Sequence, residues 1–140
     1  MNQDTLMHVP AVGGIGAMPK LGTGVTAFVV LCLALDGITK VIRIAPVVEA
    51  CQKLGIASDL VAGIGLLLLV CTVIHVIPRT AVLGAILLTG YLGGATTIHV
   101  MARSGTFPIA FAVGFGVLVW TGLVLREPRL LGWMFSRRQE

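Results

Sequence analysis

Few side chains in this sequence could carry chemistry, and those that could are spaced in fours. Asp36 and Lys40 are four apart, as are His99 and Arg103. On a helix, residues so spaced share a face. A histidine titrates near neutral pH and can shuttle a proton, and an arginine fork can hold an anionic group. Glu49 adds a second carboxylate. Cys32, Cys51 and Cys71 stand apart with no C-x-x-C, so neither a disulfide framework nor a thiol relay is indicated. No ligand cluster suggests a structural zinc, and no metal is assigned. A nucleophile–base constellation is also missing, which leaves catalysis the least supported kind of function.

The elements that must position these groups follow from composition. The 140 residues are 56% hydrophobic and 11% charged, whereas a soluble domain is about a quarter charged. The bilayer is the solvent that such a chain fits. A spanning helix needs roughly 17–25 mainly apolar residues, and four segments qualify, at about 21–44, 60–77, 80–102 and 107–125. Helices satisfy their own backbone in lipid, so the expected fold is all-α, an integral membrane bundle of four transmembrane helices. Lys20 and the apolar run after it could also open a cleaved signal peptide, but the run continues through "ITKVIRIA", which favours a retained first helix.

Residues 1–20, rich in Gly and Pro, read as a flexible tail that includes His8. Between the first two spans, "APVVEACQKLGIASD" predicts a short interfacial helix. Pro46 suits its start, Glu49 and Lys53 have the spacing of a helical pair, and Gly55 can close its turn. "VIPRT" makes a tight link, with Pro78 breaking the helix, so the second and third spans are antiparallel neighbours.

Placed on a wheel, the third span is two-faced. Thr89, Thr96 and Arg103 form a stripe with His99 beside it, and Gly93, Thr97, Gly90 and Gly94 follow. Leu87, Leu88, Ala95 and Ile98 oppose them, with Tyr91 on or near that bulky face. Gly90 and Gly94 form a G-x-x-x-G pair that lets backbones approach closely. Gly90, Gly93, Gly94, Thr96 and Thr97 are therefore expected to pack helices together inside the bundle. Arg103 alone could be a helix-end residue snorkelling to the interface. Depth suggests more. The first and third spans finish on the same side, which sets Asp36 and Lys40 level with His99 and Arg103, under Glu49. Opposite charges at one depth can neutralise each other. These five residues are the candidate binding site. His75 lies near the other face, about 25 Å from His99 in depth, so the two cannot share a haem or a metal. It is expected to be interfacial.

An even number of spans puts both termini on one side, together with Lys20, Arg79, Arg126, Arg129, Arg137 and Arg138. By the positive-inside rule that side is cytoplasmic. Residues 126–140 alternate basic and large apolar groups, a pattern for an anionic lipid surface. Nucleic acid is the weaker explanation of the same charge, because no binding fold accompanies it.

The stretch "IPRTAVLGAILLTGYLGGATTIHV" resembles the DoxX-like family of small four-helix membrane proteins, as do "LDGITKV", "PVVEACQKLGI" and "WTGLVLREPRL". The resemblance covers about residues 21–131. It implies a four-helix inner-membrane protein. It also implies a redox association, since the family takes its name from a subunit linked to thiosulfate:quinone oxidoreductase and other relatives associate with oxidative-stress systems. Asp36 departs from the small or hydroxyl residue expected there in many relatives. The function expected first is a non-catalytic subunit of a membrane redox system, with a membrane partner protein or a second copy at the glycine face. The alternative is a small-molecule binder or transporter, quinone being a possible ligand, at Asp36, Lys40, Glu49, His99 and Arg103. No cofactor is assigned.

Overall fold

A computed structural model describes residues 18–127. Among them are five helices and no strand. They are α1 (Met18–Val41), α2 (Ala45–Lys53), α3 (Leu60–Val76), α4 (Ala81–Met101) and α5 (Thr106–Arg126). The long segments fall where the hydropathy placed them, and α2 is the short helix expected from Pro46, which stands in its first turn. α1 starts earlier than expected, at Met18, so the last residues of the supposed tail are helical. His8 and the basic tail beyond Glu127 lie outside the described residues.

α1, α4 and α5 are long and apolar enough to cross a membrane, and α3, with 17 residues, is shorter. α1 packs on α3 and α5, and α4 packs on the same two helices. The ring α1–α3–α4–α5 therefore sets α1 and α4 diagonally opposite. Its core holds Val29 and Leu33 from α1, Leu68 and Cys71 from α3, Leu88 and Leu92 from α4, and Phe115 and Val119 from α5. Outside, Leu31, Leu66, Leu67, Val73, Ile86 and Val117 are exposed. An apolar shell around the whole bundle would be an aggregation surface in water and suits a hydrocarbon surround.

In lipid, helix association rests on close packing rather than on expulsion of water. Three of the four contacts in the ring are closed by glycine. A Cβ at Gly37 would stand 2.8 Å from the Leu69 side chain, and one at Gly65 would stand 2.7 Å from the Gly37 carbonyl oxygen. The α1–α3 crossing therefore requires both. A Cβ at Gly84 would lie 2.3 Å from His75 Cα, where α4 meets α3, and one at Gly22 would lie 2.7 Å from Leu125 Cβ, where α1 meets α5. The α4–α5 seam has no such approach. There the built Cβ of Gly116 reaches Leu92 at 3.9 Å, and Trp120 Nε1 donates across the seam to Thr89 Oγ1 at 2.9 Å.

The α3–α4 turn is held by side chains. Thr80 Oγ1 donates to the Ile74 carbonyl at 2.8 Å. His75 Nδ1 donates to the Ala81 carbonyl at 3.0 Å. His75 was expected at the interface, but it is fully buried. Gly84 leaves room for its backbone, and one internal hydrogen bond satisfies half of its ring.

Candidate functional site

The polar residues of the site sit at helix C-termini. α1 ends in a Schellman turn, in which Ile44 N donates to the Thr39 carbonyl and Arg43 N to the Lys40 carbonyl. α4 ends the same way, Ser104 N donating to the His99 carbonyl and Arg103 N to the Val100 carbonyl. The left-handed position that such turns require is usually glycine. Here it is Arg43 at φ 56° and Arg103 at φ 51°. α2 closes with the expected Gly55, at φ 84°. A cation at a helix C-terminus also complements the helix dipole.

Asp36 and Lys40 pair as their spacing predicted, Lys40 Nζ donating to Asp36 Oδ2. The lysine side chain is 15% exposed and the aspartate side chain 48%, so the cation is the inner member of the pair. α2 packs against α1 and buries one residue, Cys51, within electrostatic reach of Lys40 and Asp36. Burial pushes the Cys51 thiol up from its ordinary 9.0, Lys40 acts to lower it, and Asp36 raises it further. The balance leaves a neutral, poorly nucleophilic thiol. From α4, the half-buried Tyr91 comes within electrostatic reach of Asp36 and Cys51. Glu49 and Lys53 are exposed on α2. They do not form the expected pair, since Asp36–Lys40 is the one ion pair among the described residues.

The two halves of the expected cluster are not joined. His99 and Arg103 end α4, diagonally across the ring from α1, and no hydrogen bond or ion pair links them to Asp36 or Lys40 among the described residues. Arg103 is exposed, and the buried Nδ1 of His99 has no partner. The sequence offers a reason to expect equal depth but none to say which helices are neighbours. Tyr91 and Cys51 are the groups whose electrostatics Asp36 reaches instead, and the sequence signal for Tyr91 was its place on or near the bulky face of α4.

The small-residue face also turns out differently. Gly90, Gly93 and Gly94 are exposed, and a Cβ at any of them would meet nothing within 4 Å. They do not pack the bundle. Thr96 and Thr97 donate back to the Leu92 and Gly93 carbonyls at 2.8 and 3.0 Å. This face borders an outward groove of about 620 Å³ between α4 and α5, walled by Thr89, Gly93, Thr96, Ala112, Gly116 and Val117 among others. No group of three or more His, Cys, Asp or Glu able to hold a metal occurs among the described residues.

Long apolar helices, a glycine-closed core and an apolar exterior define a helical integral membrane protein. The family model for the DoxX-like family matches residues 24–122, and the chain belongs to that family. No curated protein and no solved structure matches it.

Proposed function

We propose that the chain is a four-span protein of the cell (inner) membrane, with cytoplasmic termini, that serves as a non-catalytic subunit of a membrane redox complex. The observation that carries this is the α4–α5 groove with the unpartnered face of Gly90, Gly93 and Gly94 beside it. Small residues admit a neighbouring backbone, and among the described residues these admit none. A spanning helix of the partner protein fits that opening. α3 counts as the fourth span because its 17 residues rise about 26 Å, close to the ~30 Å hydrocarbon core. The redox assignment follows the family resemblance.

The test is purification from native membranes in mild detergent with quantitative mass spectrometry. A stoichiometric membrane partner is expected with the parent. It should be lost with Gly93→Leu and retained with Gly24→Leu, a substitution at a site on α1 where a Cβ likewise meets nothing. Equal retention by both variants would remove the subunit reading.

A second reading has its own observation, the Lys40 ammonium drawn inward on Asp36 and within electrostatic reach of the buried Cys51. It supports a small-molecule site that includes Asp36 and Lys40, to which Glu49, His99 and Arg103 contribute only if the helix ends move together. Stabilisation of the isolated protein by a quinone or a small anion, with no partner present, would favour it.

A further inference from the structure

A second, separate groove runs along α1, and its chemistry is that of a lipid seat. Thr23, Ala27, Val30, Leu31 and Ala34 form one stripe of the helix, flanked by Val76 of α3 and Arg126 of α5, around a space of about 490 Å³. The groove has a polar end and an apolar run. From Thr23 to Ala34 is eleven residues, a rise of about 16 Å. That is half of the ~30 Å hydrocarbon core, the depth of one leaflet.

The mouth is cationic. Arg126, the last residue of α5, lines it. Lys20 continues the stripe one turn beyond Thr23 and is exposed. The two cations belong to the same end of the bundle, because a Cβ at Gly22 would stand 2.8 Å from the Arg126 backbone nitrogen. Neither enters an ion pair among the described residues. Glu127 is exposed next to Arg126 and offsets part of this charge, which leaves the mouth net positive.

We propose that this groove binds an anionic glycerophospholipid, with its acidic headgroup at Lys20 and Arg126 and one acyl chain along Ala27, Val30, Leu31 and Ala34. Charge and depth together select this occupant. A partner helix would cross both leaflets, whereas the groove ends halfway, and an apolar helix would leave the two cations unanswered. The proposal requires only that α1 and α5 cross the bilayer, and it is independent of the subunit reading.

The test uses the full chain, purified in detergent and titrated with phosphatidylglycerol or phosphatidylcholine, with bound lipid counted by native mass spectrometry. Phosphatidylglycerol should bind at least about tenfold more tightly, and each of Lys20→Gln and Arg126→Gln should lower its affinity about fivefold. Ala27→Leu fills the groove and should reduce binding of both lipids, and Ala34→Leu repeats the test deeper should the first variant fail to fold. Equal binding of the two lipids by the parent overturns the proposal. So does a full phosphatidylglycerol preference in the Lys20→Gln/Arg126→Gln double variant, which would place the attraction in residues 128–140. Unchanged binding in the groove-filling variants overturns it as well, since surface attraction without a seat would give that result. Co-purified protein that excludes lipid from the parent but not from Ala27→Leu would assign the groove to a partner helix instead.

Discussion

Arg43 and Arg103 occupy backbone positions that favour glycine. A left-handed conformation costs a residue with a side chain about 1–2 kcal/mol, and glycine adopts it freely. Both arginines are exposed, so neither is held there by packing. The return on this strain is a guanidinium placed at the carbonyl end of a helix, a favourable interaction of about 0.3–1 kcal/mol. The strain outweighs that interaction. Arg103→Gly should therefore raise the melting temperature in detergent, by an amount equivalent to roughly 0.5–1 kcal/mol, while the β-branched Arg103→Val should lower it. A lowered melting temperature for the glycine variant would mean that the guanidinium makes a stronger contact than the helix end supplies. The charge of Arg103 was legible in the sequence. Its backbone state was not, because the residue that signals a left-handed cap is glycine, and glycine stands there only in α2, at Gly55.

At the scale of helices, glycine divides into two populations that local spacing does not separate. Gly90 and Gly94 have the G-x-x-x-G spacing and point outward, whereas Gly37, Gly65 and Gly84 carry no such motif and close the bundle. The reason is geometric. A close approach is a property of two helices, and Gly37 is needed because Gly65 faces it. A motif within one helix marks a surface able to pack, without saying whether the partner is in the same chain. The apolar segments were legible because each helix is bounded by charge or proline. The inward face of α4 was not legible: Leu88, on the bulky face opposite the glycines, is buried, and the small-residue face expected to pack the bundle is the exposed one. Gly84→Ala should then destabilise the fold by about 3 kcal/mol, the upper range for overpacking, since the new methyl group meets His75 backbone rather than a yielding side chain. Gly90→Ala and Gly94→Ala should leave the melting temperature of the purified chain within about 0.5 kcal/mol of the parent, as surface changes do. Thermal unfolding of the three variants in one detergent checks both halves. A large loss at Gly90 would show that α4 packs by a different face.

At the scale of the whole molecule, connectivity decides which polar groups can meet. α1, α3, α4 and α5 follow one another round a ring, so alternate helices run in the same sense and stand on its diagonals. The shared sense is the ground for expecting Asp36 and Lys40 level with His99 and Arg103, and the ring sets their two helices on opposite corners. No hydrophobic pattern encodes the ring, because a stripe facing two neighbours looks the same whichever two they are. The consequence can be measured by double-mutant cycles. Asp36→Asn and Lys40→Met remove the two halves of one ion pair, and their effects on stability should be non-additive by about 0.5 kcal/mol or more, as for residues in contact. Lys40→Met and His99→Ala lie on opposite corners and share no partner among the described residues, so their effects should add to within about 0.5 kcal/mol. If the second pair couples as strongly as the first, the ends of α1 and α4 move together in the membrane and form a single site. If it does not, Asp36 and Lys40 form a site separate from His99 and Arg103, as the ring arrangement implies.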